Sequence, residues 1–527
     1  MRLSHATTAV VTAAVLAVLP VATSSATPLT DPPAPASGPG TAPSSWPGQG
    51  AEHRSAKAEA ALEKALAIFG ERAGTARKRD RRTPVVATEH PTLVLRELAL
   101  RLDDLDPADR EAALAILARP TDDATDGWPG VKYSVPSRST CDEPGTEESP
   151  LCVHWVETTQ DAPPPADADG DTVPDQVVQT RETLDEVQEA IHGGLGYRRP
   201  VADTAGPGAG VDVYLADLGW TYEVFGYCVP EYDASTTRRV PAYCVLDDDF
   251  AEFGGGPLED LQVTAAHEYF HAVQMAYNAY TQLWVYESTA MWVEDEVYDD
   301  VDQSVAYLKT TSPLTEPWRS LDGFDYGGWI WWRYLSERYG PRRTSDPSVV
   351  RGTWTRLGNG LTPLAAMQRE IASRGGTFGR VFADFGATNL FAKAWYEEGA
   401  SYPNARVEAT FRVTGSRRST GWRVARLDHL SNLSAMVRPG RGLDGRRWRL
   451  RIQLDLPPRL RGSQATVVLQ RRDGTRRWYR PTLDRRGDAV LAVPFDRRKI
   501  SGAALTFTNG GKGDGRSFAF RATAVRR

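Results

Sequence analysis

Apolar side chains at Leu261, Val263, Ala266, Phe270, Val273 and Ala276 recur at helical spacing and predict a long helix with one buried stripe. The same period appears nearer the start. Leu62, Leu66 and Phe69 form one helical run, Leu93 to Leu102 a second, and Asp106-Pro107 opens a third that carries Leu114 and Leu117. The period then shortens to two at Val131–Val135, Cys152–Val156 and Val211–Leu215, which read as short strands. Helices are expected again over Glu182–His192, around His267, around Glu287 and after Tyr326. A small sheet leading into a helical subdomain gives an α+β class for residues 128–404.

From about residue 405 the helical signal fades. Trp448, Leu450, Ile452, Leu454 and Leu456 alternate with polar residues, which marks a half-buried strand. Further strands are predicted over Ala465–Gln470, Trp478–Tyr479, Ala489–Val493, Ala504–Thr508 and Phe518–Val525, with Asp473-Gly474 and Asn509-Gly510 as turns. Residues 405–527 therefore read as an antiparallel β-sandwich.

The first residues carry a different message. Arg2 precedes an apolar run from Ala9 to Ala22, then small residues through Ala26, so residues 1–26 are expected to be a signal peptide. Residues 27–50, rich in Pro, Ala, Ser and Gly, read as a linker. No other stretch reaches the length of a membrane span. The chain has four cysteines, paired by proximity as Cys141 with Cys152 and Cys228 with Cys244, and an even count behind a signal peptide predicts two disulfides in a secreted protein. Residues 51–127 form a helical segment containing the basic run Arg77–Arg82. That segment is either an inhibitory pro-region or a helical appendage with a solvated charge cluster.

Chemistry enters at His267-Glu268-Tyr269-Phe270-His271. Residues four apart share one helix face, so His267 and His271 can hold one Zn²⁺, with Glu268 beside them as a general base. Three protein ligands would leave the fourth position for a reacting group. The nearby carboxylates are Glu287, Glu294, Asp295 and Glu296, and no H-x-x-G-x-x-H continuation follows. Glu294 and Asp295 are candidate partners of the histidine rings, with Glu294 also the second choice as third ligand. A second cation motif is Asp167-Ala-Asp169-Gly-Asp171-Thr-Val-Pro-Asp175, whose alternating carboxylates around a Gly turn suit a structural Ca²⁺. Asp247-Asp248-Asp249 reads as a solvated acidic loop.

The formal net charge is −6, and no aromatic-basic interleaving or groove motif points to a specific nucleic acid. The abundant Arg of the sandwich suits an ordinary soluble accessory domain or contact with anionic cell-wall polymer.

Trp284-Val-Tyr-Glu287-Ser-Thr-Ala290 resembles the W-x-x-E-G-x-A segment of gluzincin peptidases, with Ser288 where they usually carry Gly. Together with the H-E-x-x-H run, Tyr326-Gly-Gly-Trp-Ile-Trp-Trp and the acidic loop, it looks like a family of secreted bacterial metalloproteases over roughly residues 130–400. The resemblance implies a zincin-like domain, Glu287 as third zinc ligand and Tyr326 as the phenol that steadies the oxyanion, although Trp329 stands where the aminopeptidases have Gly. It implies hydrolysis of protein or peptide substrates. The absence of a G-x-M-E-N segment favours an endopeptidase. The alternative from a different class is a secreted cell-surface binding protein with a non-catalytic zinc site.

Overall fold

The computed structural model of the chain describes residues 49–70, 91–122, 130–142, 150–203, 210–231, 237–341 and 344–527. The expected signal peptide, nearly all of the linker and the Arg77–Arg82 run lie outside them.

The predicted N-terminal helices form α1 (Gln49–Phe69), α2 (Pro91–Ala99) and α3 (Pro107–Leu117). Asp106 caps α3 by accepting the amides of Ala108 and Asp109, with Pro107 in the first turn where its missing N–H costs nothing. Next come β1 (Arg138–Cys141), β2 (Leu151–Trp155), α4 (Asp175–Gln188), β3 (Val211–Ala216), α5 (Leu218–Thr221), β4 (Gly226–Pro230) and β5 (Ala242–Asp247). These strands make one sheet in the order β1-β2-β3-β5-β4. Strands β2, β3 and β5 are parallel, while β1 and the opposite edge β4 run antiparallel to their neighbours.

The strand expected at Val131–Val135 is absent. Lys132 and Tyr133 turn their side chains onto the carbonyls of Arg119 and Leu215, and pairing starts only beyond Pro136, at Arg138. The disulfides Cys141–Cys152 and Cys228–Cys244 join directly opposed residues of β1/β2 and β4/β5. Both are the local pairs expected from the sequence.

The sheet is covered on both faces. Tyr214, Tyr227, Val229, Tyr243 and Val245 pack against α1, α2 and α3. Val213, Leu215, Leu246 and the Cys228–Cys244 pair face the other way, toward α4 and α6 (Pro257–Asn278). Beyond α6 lie α7 (Leu283–Val297), α8 (Val305–Thr310), α9 (Ile330–Tyr339), α10 (Ser348–Gly358), α11 (Pro363–Ser373), α12 (Phe378–Asn389) and α13 (Ala392–Trp395).

Because α6 is central, Leu261 and every residue from Val263 to Asn278 are buried. The single apolar stripe expected from the sequence is thus replaced by burial all round. The polar members of α6 are enclosed against α7.

The last segment holds nine strands: β6 (Ala409–Val413), β7 (Ser419–Leu427), β8 (Ser431–Pro439), β9 (Trp448–Asp455), β10 (Ser463–Arg471), β11 (Arg476–Tyr479), β12 (Asp488–Pro494), β13 (Ile500–Asn509) and β14 (Arg516–Arg526). They form two sheets, β11-β10-β13-β8-β6 and β12-β9-β14-β7, antiparallel except for the parallel pair β6–β8. Leu450, Ile452 and Leu454 of β9 enter the core between them, in the predicted alternation. Helix α12 packs on β10, β13 and β8, and Arg480 forks onto Asp384 at 3.0 and 3.2 Å. Residues Gly50–Arg527 make one compact unit.

Candidate metal centre and active site

His267 and His271 lie one turn apart on α6, and Glu287 faces them from α7. The Nε2 of His267 is 3.2 Å from one Glu287 carboxylate oxygen, and the Nε2 of His271 is 3.5 Å from the other. Ligands held about 2.0–2.2 Å from a tetrahedral Zn²⁺ sit about 3.3–3.5 Å from one another, so Glu287 already stands at a metal's spacing from both rings.

The far side of each ring decides what the near side offers. The Nδ1 of His271 donates to Oε1 of Gln274 at 2.7 Å. The orientation of that amide is fixed, because its Nε2 donates to the Tyr286 carbonyl (2.9 Å) and to Thr289 Oγ1 (3.0 Å). The Nδ1 of His267 is held by Glu294 at 2.5 Å. With Nδ1 carrying the proton, Nε2 of His271 presents a bare lone pair, buried and without a hydrogen bond, to a carboxylate. Two electron-pair donors facing each other in a buried site repel unless a cation lies between them. The donor set therefore fits zinc.

Electrostatics follow from the burial. Burial takes the His271 ring down to about 4, so it is a neutral ligand at ordinary pH. Burial also opposes charge on His267, but hydrogen bonds to Glu287 and Glu294 hold its value well above the usual one. The Glu268 carboxyl is pushed up to about 7 by burial, against the pull of His267.

Glu268 brings a carboxylate oxygen within 4.8 Å of the ring nitrogens of His267 and His271, and it lines a cleft shared with Phe225, Val263, Met291, Tyr307 and Tyr326 among others. There it accepts a 2.9 Å hydrogen bond from Thr92 of α2, whose hydroxyl in turn accepts the Cys228 amide of edge strand β4 at 2.9 Å. No local pattern announces Thr92, which lies 176 residues from its partner. Gln274 was more accessible to sequence reasoning, as a polar residue between the apolar Val273 and Met275, three places beyond His271.

The Tyr326 ring packs edge-on to His267 at 5.9 Å and tilted against Tyr307 at 4.8 Å. A one-turn 3₁₀ segment, Tyr326–Trp329, precedes α9 and brings it there. A Cβ on Gly327 would lie 1.8 Å from the Thr311 carbonyl, so only Gly lets this turn sit so close. Burial, then the nearby Glu287, keeps the Tyr326 phenol protonated and able to donate. Ser288 donates to the Trp284 carbonyl and accepts the Trp332 indole N–H at 2.8 Å.

The remaining expected site residues fall elsewhere. Asp295 turns away from the histidines to Arg333 at 3.0 Å, within a buried group that includes Glu296 and Glu337. Asp167, Asp169 and Asp171 bring their oxygens together in an exposed loop with Gly170 at φ +79°. Asp175 stays outside that cluster, in the first turn of α4, and accepts the Ala168 amide at 3.0 Å. The acidic run at 247 is not the solvated loop expected. Asp247 is fully buried, accepting the amides of Leu218, Gly219 and Phe250, and Asp248 is buried beside it.

No family model matches the chain, and no curated protein matches it. Among solved structures it is similar to a family GH115 4-O-methyl-alpha-glucuronidase with specificity for decorated arabinogalactans, at 8% identity and a TM-score of 0.15. The match covers 53% of this chain and 43% of that one, so the chain spans less than half of the solved protein's length. So low a TM-score assigns neither fold nor function.

Proposed function

We propose that the chain is a secreted zinc peptidase, an endopeptidase with a zincin-like catalytic part. The observation that carries this reading is the approach of Glu287 to His267 Nε2 and His271 Nε2, beside the buried carboxylate of Glu268, whose oxygen lies within 4.8 Å of both rings. A structural zinc site needs the ligands alone, whereas Glu268 in an open cleft is what hydrolysis adds. Zinc, when bound, would supply Lewis acidity, making water ionisable near neutrality and polarising a carbonyl.

The chain's own residues do the rest. Glu268 takes the proton of the attacking water and later delivers it to the leaving amine, with its position held by Thr92. Tyr326 donates its phenolic proton in a hydrogen bond to the developing oxyanion. Glu294 and Gln274 fix the two rings in the tautomer that turns Nε2 inward. Two disulfides fit an oxidising compartment, and among the described residues no helix is long and apolar enough to cross a membrane.

The direct test incubates the purified protein, zinc-loaded and chelated, with a mixed peptide library and reads products by mass spectrometry. Cleavage only in the zinc-loaded sample is expected. Zinc bound at one site without any cleavage would sink the peptidase reading in favour of the non-catalytic alternative.

Tyr326→Phe is expected to lower kcat about 10²-fold or more with zinc content unchanged, the usual size of a lost oxyanion donor. A kcat within twofold of the parent would remove Tyr326 from the mechanism. Calcium at Asp167, Asp169 and Asp171 is a structural proposal. Adding Ca²⁺ to metal-free protein should raise the melting temperature, and Asp169→Asn should abolish the rise. The same rise in both proteins would place the ion elsewhere.

A further inference from the structure

The β-sandwich departs sharply in charge from the rest of the chain. Residues 405–527 carry 29 Lys and Arg against 9 Asp and Glu, a net +20, in a chain whose total is −6. Surface charge of one sign on this scale sets up a long-range field that draws in opposite charge.

One concavity gathers part of that charge. A groove of about 1360 Å³ opens across one end of the sandwich, where β9 and β13 begin and β10 and β12 finish, so that both sheets contribute. Arg446, Arg471, Arg472, Arg498 and Lys499 line it and are exposed. Two carboxylates also line it, but both are engaged with the chain. Asp496 is buried and accepts the amides of Gly445 and Arg498, and Asp473 accepts the Thr475 amide and hydroxyl. Arg446, Arg471 and Lys499 form no ion pair among the described residues, whereas Arg498 reaches Asp444 at 3.6 Å.

The groove faces away from the helical part. Helix α12 meets the opposite ends of the same strands, where Arg380 donates to Gln464 at 2.9 Å and Phe378 lies against Gly510. Guanidinium forks suit oxyanions, which they bind through paired N–H donors. The only aromatic side chain in the lining, Trp448, is just 8% exposed and is covered by Arg418 at 5.3 Å, so the groove offers no platform for stacking a base.

We propose that this groove binds a linear extracellular polyanion, a polymer with a phosphate or carboxylate on each repeat, and so tethers the chain to an anionic matrix. The inference does not rest on the peptidase reading, because the groove lies on a different part of the chain from the zinc ligands.

The test uses the full secreted chain and immobilised probes: long-chain polyphosphate, polygalacturonate and duplex DNA. The groove variant replaces Arg446, Arg471 and Lys499 with Gln. The control variant replaces Arg459, Arg485 and Arg486, exposed residues outside the groove lining, with Gln. The parent is expected to bind polyphosphate or polygalacturonate with an affinity that falls steeply as salt rises. The groove variant should lose about tenfold or more and show a shallower salt slope, while the control stays within about twofold. Whichever polymer binds tighter identifies the anion. Equal losses in both variants would overturn the groove in favour of the domain's overall field. Tightest binding to DNA, or no binding at physiological salt, would overturn the polyanion assignment.

Discussion

Glu268→Gln is expected to cut peptide cleavage by about 10²–10⁴-fold while zinc content and melting temperature stay at or above the parent's. The magnitude is that of a lost general base, and the geometry explains why the metal should not follow. One Glu268 oxygen is held by the Thr92 hydroxyl, while Glu287 already stands 3.2 Å and 3.5 Å from the two histidines and can complete three ligands without Glu268. Gln keeps the volume and still offers an oxygen to the Thr92 hydroxyl. It also removes the charge that, after burial, the nearby Glu287 and Glu294 carboxylates oppose on Glu268. Loss of zinc in this variant would mean that Glu268 is itself a ligand. Full activity with zinc in place would end the mechanism, whatever the library assay shows for the parent.

Some of this was legible in the sequence because it is local. His267 and His271 share a face for reasons of helical period alone. The Asp106-Pro107 cap, the two cysteine pairs and the strict alternation of β9 each depend on residues within a few places of one another. What escaped depends on distant partners. Thr92 reaches Glu268 only because α2 lies along the edge strand β4, and Asp295 meets Arg333 only because α9 packs on α7. The misread Asp247 shows the same limit. An acidic triplet is usually solvated, but here the end of β5 turns inward and its first carboxylate satisfies three backbone amides. Strands β7 and β8 do not show in the sequence because their burial does not alternate cleanly; Ser431, Asn432 and Ser434 of β8 are polar yet buried against the neighbouring strand β13.

The largest stability effect is expected from removing the N-terminal helices. A chain starting at Trp128 should fail to fold, or should melt far below the parent. Helices α1 to α3 cover Tyr214, Tyr227, Val229, Tyr243 and Val245 on one face of the sheet. Exposing side chains of this size costs about 1.5–3 kcal/mol each. Five of them approach the whole net stability of an ordinary domain, about 5–15 kcal/mol.

Charge adds to the loss. Arg119, just beyond α3, is buried against Asp203, Asp212 and Glu231, and Asp212 also holds His154 at 2.8 Å. Without the guanidinium those carboxylates are left buried together, a defect that costs about 3–5 kcal/mol when one partner of a buried pair is removed. Arg96 would go as well, with its hydrogen bonds to the carbonyls of Ala279 and Thr281 where α6 leads into α7.

On these grounds the helices are expected to behave as a third layer of the part that follows them, residues 128–404, rather than as a pro-region to be discarded, and Thr92 ties that layer to the proposed base. The purified protein should therefore retain α2 and α3, which intact-mass measurement and thermal melts of the shortened chain will check. A protein starting at Trp128 that melts with the parent and cleaves at the same rate would restore the pro-region reading and remove Thr92 from the site.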